Sequence, residues 1–340
     1  MSLVLGHPEH GYYMQRDPLG AAGDFITSPE VSQMFGELIG LWCAHVWGLL
    51  GRPRPVRLVE LGPGRGTLMA DALRACGKVA SSFLAACDIH LVETSPALRE
   101  RQRARLAFHN PAWHDSLSEV PPGPMLAIAN EFLDALPIHQ LLRVGGAWYE
   151  RQVALDPQSG GFAFTVARQR SPLAHLLDGS LASAPAGSIA ELSPAARQVG
   201  AALGSRIAKS GGAALFIDYG YAEPAAGESL QAQRRHAPHP VLESPGEADL
   251  TAHVDFAAFA ATAEAQGVRC HGPVPQGLFL RRLGILERTH TLLQQVSDPR
   301  SRNAITAALE RLIDERQMGT LFKVLAMGPA SVAPLPGFVQ

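Results

Sequence analysis

The chain has few cysteines, almost no net charge and no long hydrophobic run, and each shortage excludes a class of function. Cys43, Cys76, Cys87 and Cys270 show no C-x-x-C pair and no metal-ligand spacing, so neither a metal site nor a disulfide framework is expected, and three of the thiols, in apolar or helical surroundings, read as small core residues. A net charge of −2 argues against a nucleic-acid binder that works by neutralising phosphates. No apolar run reaches the roughly eighteen residues of a membrane helix, and the N-terminus has neither a basic-plus-apolar signal nor an Arg-rich transit segment. No membrane insertion and a cytoplasmic location are therefore expected. No internal repeat is visible, and the heavy excess of arginine over lysine reads as genome composition. What the chain does have is 46% hydrophobic residues over 340 positions, ample for a sizeable core in one large domain or two smaller ones.

The most informative stretch is residues 56–69. Val56, Leu58, Val59 and Leu61 supply the apolar run of a parallel strand, and Gly62, Gly64 and Gly66 then let the backbone turn tightly and approach a ligand. A dinucleotide fingerprint needs a glycine where Thr67 stands. The order G-x-G-x-G behind the acidic strand end Glu60 is instead the arrangement expected for S-adenosylmethionine, which has no pyrophosphate for a helix N-terminus to hold. A helix-cap or surface role for Glu60 is the alternative. About thirty residues on, Ile89, Leu91 and Val92 form a short strand ending at Glu93, and Thr94-Ser95-Pro96 offers a helix start. An acid at the end of the second strand of an open α/β sheet can accept both ribose hydroxyls of an adenosine, which makes Glu93 the ribose candidate and places Thr94 beside it.

At this point the chain resembles the MidA-like class I methyltransferases, whose mitochondrial members assist assembly of respiratory complex I. The likeness rests on Gly23-Asp24-Phe25-Ile26-Thr27-Ser28-Pro29-Glu30, on residues 59–68 and 92–96, and on Asn130-Glu131-Phe132-Leu133-Asp134-Ala135-Leu136-Pro137. It continues through Ile217-Asp218-Tyr219-Gly220, residues 245–256 and Met318-Gly319-Thr320-Leu321-Phe322-Lys323-Val324, and so covers nearly the whole chain. The resemblance implies an α/β, Rossmann-like sheet with flanking helices and a protein arginine methyltransferase that uses S-adenosylmethionine on a complex I core subunit. Family members carry an extra N-terminal segment before the equivalent of residues 7–13, so the resemblance also implies a chain that starts late. An assembly chaperone that binds without turnover is the second reading, and a nicotinamide oxidoreductase, opposed by Thr67, is the third.

The remaining pattern is consistent with an α/β order. Residues 1–50 read as an N-terminal lid and packing helix, with one helix over 27–50, and residues 51–140 as the cofactor-binding part of the core, whose third strand Met125–Ala129 ends at Asn130-Glu131. Antiparallel strands at 141–144, 147–155 and 162–168 mark an insertion over 141–192. Residues 193–340 complete the core: a helix at 193–209, a strand at 213–217 ending at Asp218, a long loop at 220–250, extra C-terminal helices at about 255–266, 276–297 and 300–316, and a last strand at 321–327. Ligands bind beyond the carboxyl ends of such strands, so Asn130, Glu131 and Asp134 are the catalytic candidates, with a capping turn as the bland alternative for Asn130. If the acceptor is arginine, as the family implies, Glu131 and Asp134 would grip the planar guanidinium by charge-assisted hydrogen bonds. His253 and Asp255, with Asp249 nearby, form a further polar cluster in which the histidine would accept the departing proton or the set would merely cap a helix. Asp24 and Thr27 are candidates for the amino or carboxylate end of the cofactor, with helix capping again the alternative.

Overall fold

The computed structural model describes residues 1–15, 26–332 and 334–338, and the apolar runs of the sequence become the centre of one sheet. Short helices α1 (Ser2–Gly6), α2 (Tyr12–Gln15) and α3 (Ser28–Val31) precede the long helix α4 (Gln33–Leu49). Next come β1 (Val56–Leu61), α5 (Thr67–Val79), α6 (Ser81–Leu84), β2 (Cys87–Val92), α7 (Pro96–Arg105), β3 (Ala112–His114) and β4 (Met125–Asn130). A separate antiparallel sheet follows, made of β5 (His139–Val144), β6 (Ala147–Leu155), β7 (Phe162–Arg170) and β8 (Ile189–Leu192). The chain returns through α8 (Pro194–Ser210) to β9 (Gly212–Tyr221), then makes β10 (Gln231–Arg234), β11 (Ala237–His239), β12 (Asp249–Thr251) and β13 (Val254–Asp255). The last part runs α9 (Phe256–Glu264), β14 (Val268–Pro275), α10 (Gln276–Arg282), α11 (Ile285–Gln295), α12 (Pro299–Ile313), α13 (Met318–Leu321) and β15 (Phe322–Pro329).

The main sheet has the order β14-β15-β9-β4-β1-β2-β3, with β15 antiparallel to both its neighbours and the pairs from β9 to β3 parallel. Alternation along the strands explains the two layers. Leu58, Leu126, Ile128, Leu215 and Ile217 face the core made with α4 and α5, whereas Val59, Leu61, Ala127, Ala129, Ala214 and Phe216 face the core made with α8 and α9. Every residue of β4 is buried, as expected of a parallel strand covered on both faces. The strand order reverses between β1 and β4, and a crevice opens at their carboxyl ends where Gly62 and Asn130 emerge.

Several expected elements take a different form. The single helix expected over 27–50 is broken at Ser32, whose extended backbone starts a new helix and whose hydroxyl accepts from the Met34 N–H. The helix expected over 276–297 is likewise split, because Gly284 at φ +89 turns the chain between α10 and α11. The long loop expected over 220–250 contains a small sheet, β11-β10-β12. Its Ala232 and Leu250 pack with Ala248 against Leu5 and Tyr12, which docks the N-terminal helices beside the crevice.

Candidate active site

The crevice is a cavity of about 450 Å³ lined from both halves of the sheet. Gly62, Gly64 and Arg65 come from the turn after β1, Glu93 and Thr94 from the end of β2, Asn130 and Glu131 from the end of β4, and Thr27 and Glu30 from the start of α3. The turn needs its glycines at two places in particular. Gly62 has φ +62 and a Cβ there would lie 2.8 Å from the Phe132 ring, and Gly64 has φ +53 and borders the cavity directly.

Glu60 stands at the strand end just before this turn and is 3% exposed. It accepts from the Met69 backbone N–H in the first turn of α5, so the capping alternative describes part of its role. Its Oε2 has no hydrogen-bond partner among the described residues, an arrangement that costs free energy unless a ligand completes it. Burial, and next the negative charge of Glu93, push its pKa up to about 8 although the Met69 N–H opposes them. A buried carboxyl with an open oxygen fits the ammonium of an S-adenosylmethionine amino-acid end. Bringing an ammonium to that oxygen lowers the pKa again, so S-adenosylhomocysteine binding at pH 7 should release a proton, and affinity should rise with pH up to about 8. Calorimetry in two buffers of different ionisation enthalpy measures this release. A heat independent of buffer, or a release that survives Glu60→Gln, would remove Glu60 from the ammonium site.

Glu93 is buried, and its Oε1 accepts from the Ser95 N–H at 2.8 Å while Gln102 Nε2 approaches its Oε2 at 3.2 Å. Burial pushes its pKa up against these donors. Sequence reasoning missed Gln102. It is fully buried on α7, donates also to the Gly64 carbonyl at 2.7 Å, and is held by the Trp113 N–H at 2.9 Å, so it joins the glycine turn to the ribose candidate. A polar residue in the charged helix Pro96–Arg105 reads as solvent-facing, and no local pattern marked it. Asp115, Ser116 and Leu117 beyond the three-residue β3 line the cavity as well, and were missed because so short a strand has no readable period. Glu93→Ala should cost about 1.5–3 kcal/mol of cofactor affinity, the range for a hydrogen bond to a charged group. If Glu93 holds the ribose, a 2′-deoxy analogue should lose little further affinity in the variant; equal discrimination by variant and unaltered chain would exclude that role.

At the far side, Glu131 is a non-glycine residue at φ +50, a conformation that costs about 1–3 kcal/mol and is concentrated at functional positions. Its Oε1 accepts from the Ser28 N–H at 2.8 Å and from Asn130 Nδ2 at 3.1 Å. Asn130 Oδ1 is buried without a partner among the described residues. Burial, followed by the Asp134 charge, raises the Glu131 pKa to about 7 despite the Ser28 donor.

The other candidates lie elsewhere. Asp134 is not among the residues lining the cavity: it is buried, accepts from the Tyr219 hydroxyl, and burial raises its pKa to about 6. The turn it sits in is held by Asp218, whose Oδ2 accepts from the N–H groups of Phe132, Leu133 and Asp134 at 2.9–3.2 Å. Asp255 caps α9 through the Ala258 N–H at 2.9 Å, and His253 stacks edge-on against Tyr219 with ring centroids 5.5 Å apart. Both face a different cleft, with Glu191 and Tyr221, and the structure does not bring them to the cavity. Asp249 accepts from the Tyr13 hydroxyl at 2.8 Å. Thr27 lines the cavity and makes no side-chain cap to α3; Asp24 lies outside the described residues.

Comparison with known proteins places this geometry. Residues 38–274 match the family described as putative S-adenosyl-L-methionine-dependent methyltransferases. The protein arginine methyltransferase NDUFAF7 homolog, mitochondrial, of Drosophila melanogaster is 39% identical over 99% of this chain and 84% of its own length. The protein arginine methyltransferase NDUFAF7, mitochondrial, of Danio rerio is 36% identical over 100% and 87%. A crystal structure of a "likely methyl transferase" from Burkholderia thailandensis bound to S-adenosyl-homocysteine superposes with a TM-score of 0.82 at 28% identity, covering 100% of this chain and 89% of that one. The sheet is thus that of a Rossmann-like methyltransferase with S-adenosylmethionine as cofactor, and the chain belongs to this S-adenosyl-L-methionine-dependent methyltransferase family.

Proposed function

We propose that this methyltransferase modifies an arginine side chain of a protein, with a core subunit of respiratory complex I as the acceptor. The observation that carries the reading is Glu131: a strained, partly buried carboxylate at the cavity wall, held by Ser28 and Asn130. Bound S-adenosylmethionine supplies an electrophilic methyl group. A guanidinium in water is always protonated and presents N–H groups in a planar fork, so the protein must orient it and draw off charge as one nitrogen becomes a nucleophile. Ionised Glu131 accepts from that fork and stabilises the positive charge. With a pKa near 7, it is also matched to take the proton released. The names of the curated relatives support an arginine acceptor, and the resemblance read from the sequence supports complex I.

The test is proteome-wide mass spectrometry with and without this protein, paired with transfer of labelled methyl to the purified acceptor. Loss of one methyl-arginine on a complex I subunit supports the proposal. Cofactor binding with no transfer to any protein would favour an assembly role without turnover. A cytoplasmic location is part of the same proposal, and fractionation of cells expressing the full chain checks it.

A further inference from the structure

Asp218 closes the fully buried part of β9, is 1% exposed, and is not among the residues lining the cavity. Strand pairing sets where it stands. β4 and β9 run parallel with Asn130 opposite Ile217, and the Glu131 N–H donates to the Ile217 carbonyl at 2.9 Å. There β4 stops while β9 continues, so the next side chain of β9 meets the backbone that leaves β4.

The Asp218 Oδ2 accepts from the N–H groups of Phe132, Leu133 and Asp134 at 3.1, 2.9 and 3.2 Å, and its Oδ1 from the Tyr219 N–H at 3.0 Å. Successive N–H groups converge on one oxygen in this way where the backbone passes through the left-handed region, forming an anion-binding concavity. Glu131, at φ +50, provides that region. The far end of the turn is tied as well: the Tyr219 hydroxyl donates to the Asp134 carboxyl, and the Ala252 N–H to the Asp134 carbonyl at 3.0 Å. A glutamate does not favour φ +50 by itself, and such a conformation persists only where its surroundings impose it. With ordinary backbone at 131 the three N–H groups would no longer converge, and the buried carboxylate would lose its donors. The converse also holds: once that carboxylate is removed, Glu131 is free to relax away from the Ser28 N–H that its Oε1 meets at 2.8 Å.

We infer that Asp218 is a positioning residue for methyl transfer: it holds the turn that keeps Glu131 left-handed and thereby aims the Glu131 carboxyl into the cavity. The inference rests on the reading of Glu131 as the group that meets the acceptor. A merely structural Asp218, which only satisfies three buried N–H groups, makes a different prediction, because its loss would damage the protein independently of Glu131.

A double-mutant cycle separates the two. The rate is that of labelled methyl transfer from saturating S-adenosylmethionine to protein in an extract of cells lacking this chain, measured beside S-adenosylhomocysteine affinity by calorimetry and a melting curve. Asp218→Asn keeps the size and one acceptor oxygen but loses the charge and turns the other atom into a donor. It should slow transfer by about 10- to 100-fold and leave affinity within about threefold. Added to Glu131→Gln, it should slow transfer by less than about threefold further, since a residue that acts through Glu131 then has nothing left to aim. Asp218→Ser, smaller and with a single acceptor oxygen, takes its place in the cycle if the asparagine variant does not fold. The inference alone is overturned if Glu131→Gln is slow and the two losses multiply in the double variant, if Asp218→Asn transfers as fast as the unaltered chain, or if affinity and melting temperature fall along with the rate. Full activity of Glu131→Gln would overturn the reading of Glu131 and the inference with it.

Discussion

Replacing Glu131 with glutamine is expected to lower single-turnover methyl transfer by about 10²–10³-fold and leave S-adenosylmethionine affinity near that of the unaltered chain. Glutamine keeps the length and one acceptor oxygen but neither accepts the released proton nor balances the guanidinium charge. The pH profile gives the sign. With a pKa of about 7, raised by burial, Glu131 is protonated at pH 6 and ionised at pH 8, so transfer should rise as pH rises through about 7 and then level. The glutamine variant should lose that limb. Stability serves as the control: if the variant loses folding, affinity and rate together, the carboxylate serves the turn and not the acceptor. Full activity in Glu131→Gln would move the acceptor site elsewhere. Asp134→Asn acts differently, because Asp134 reaches Tyr219 and not the cavity; its effect should be seen first in the melting temperature.

The second large effect is expected at Gly64. A valine there places a branched Cβ at φ +53, which costs about 1–2 kcal/mol in backbone terms alone, and projects it where the cofactor must approach the turn. Affinity for S-adenosylmethionine should fall by at least about 100-fold, with the fold retained. The turn lies at the mouth of the sheet and its strands are buried on both faces independently of it, so the core survives. Calorimetry with S-adenosylhomocysteine and a melting curve measure the two halves of this expectation. Unchanged binding would remove the turn from the cofactor site.

The strands that carry the cavity were legible because each is a run of apolar residues buried on both faces. Val56–Leu61, Met125–Asn130, Gly212–Tyr221 and Phe322–Pro329 show it over most of their length, and Cys87–Val92 only at its centre, Ile89–Leu91. Strand β14 was not, since Val-Arg-Cys-His-Gly-Pro-Val-Pro has no regular alternation and its pairing shifts register between His271 and Val274. Residues whose place follows from local order, Glu60 behind the glycines and Glu93 at the next strand end, could be put at the cavity from spacing. Those whose role depends on distant partners could not. Asp218 looks like a candidate acid at a strand end, yet it meets three N–H groups more than 80 positions away in the chain. Asp255 and His253 look like a reactive pair in sequence, and only the packing of β13 against β9 shows them directed to another cleft. A helix start and an active site use the same polar residues, and only tertiary structure tells them apart.

The Gln102 amide has a consequence for how energies in this pocket are apportioned. One nitrogen serves the Gly64 carbonyl and the Glu93 carboxylate together, so removing either acceptor changes the geometry offered to the other. Free-energy losses from single substitutions at residues 64, 93 and 102 therefore do not sum; neighbours in one hydrogen-bond network typically show interaction energies of about 0.5–3 kcal/mol. Part of any loss measured at Glu93 belongs thermodynamically to the glycine turn. A buried amide that is not itself among the lining residues makes the ribose candidate and the turn a single cooperative unit.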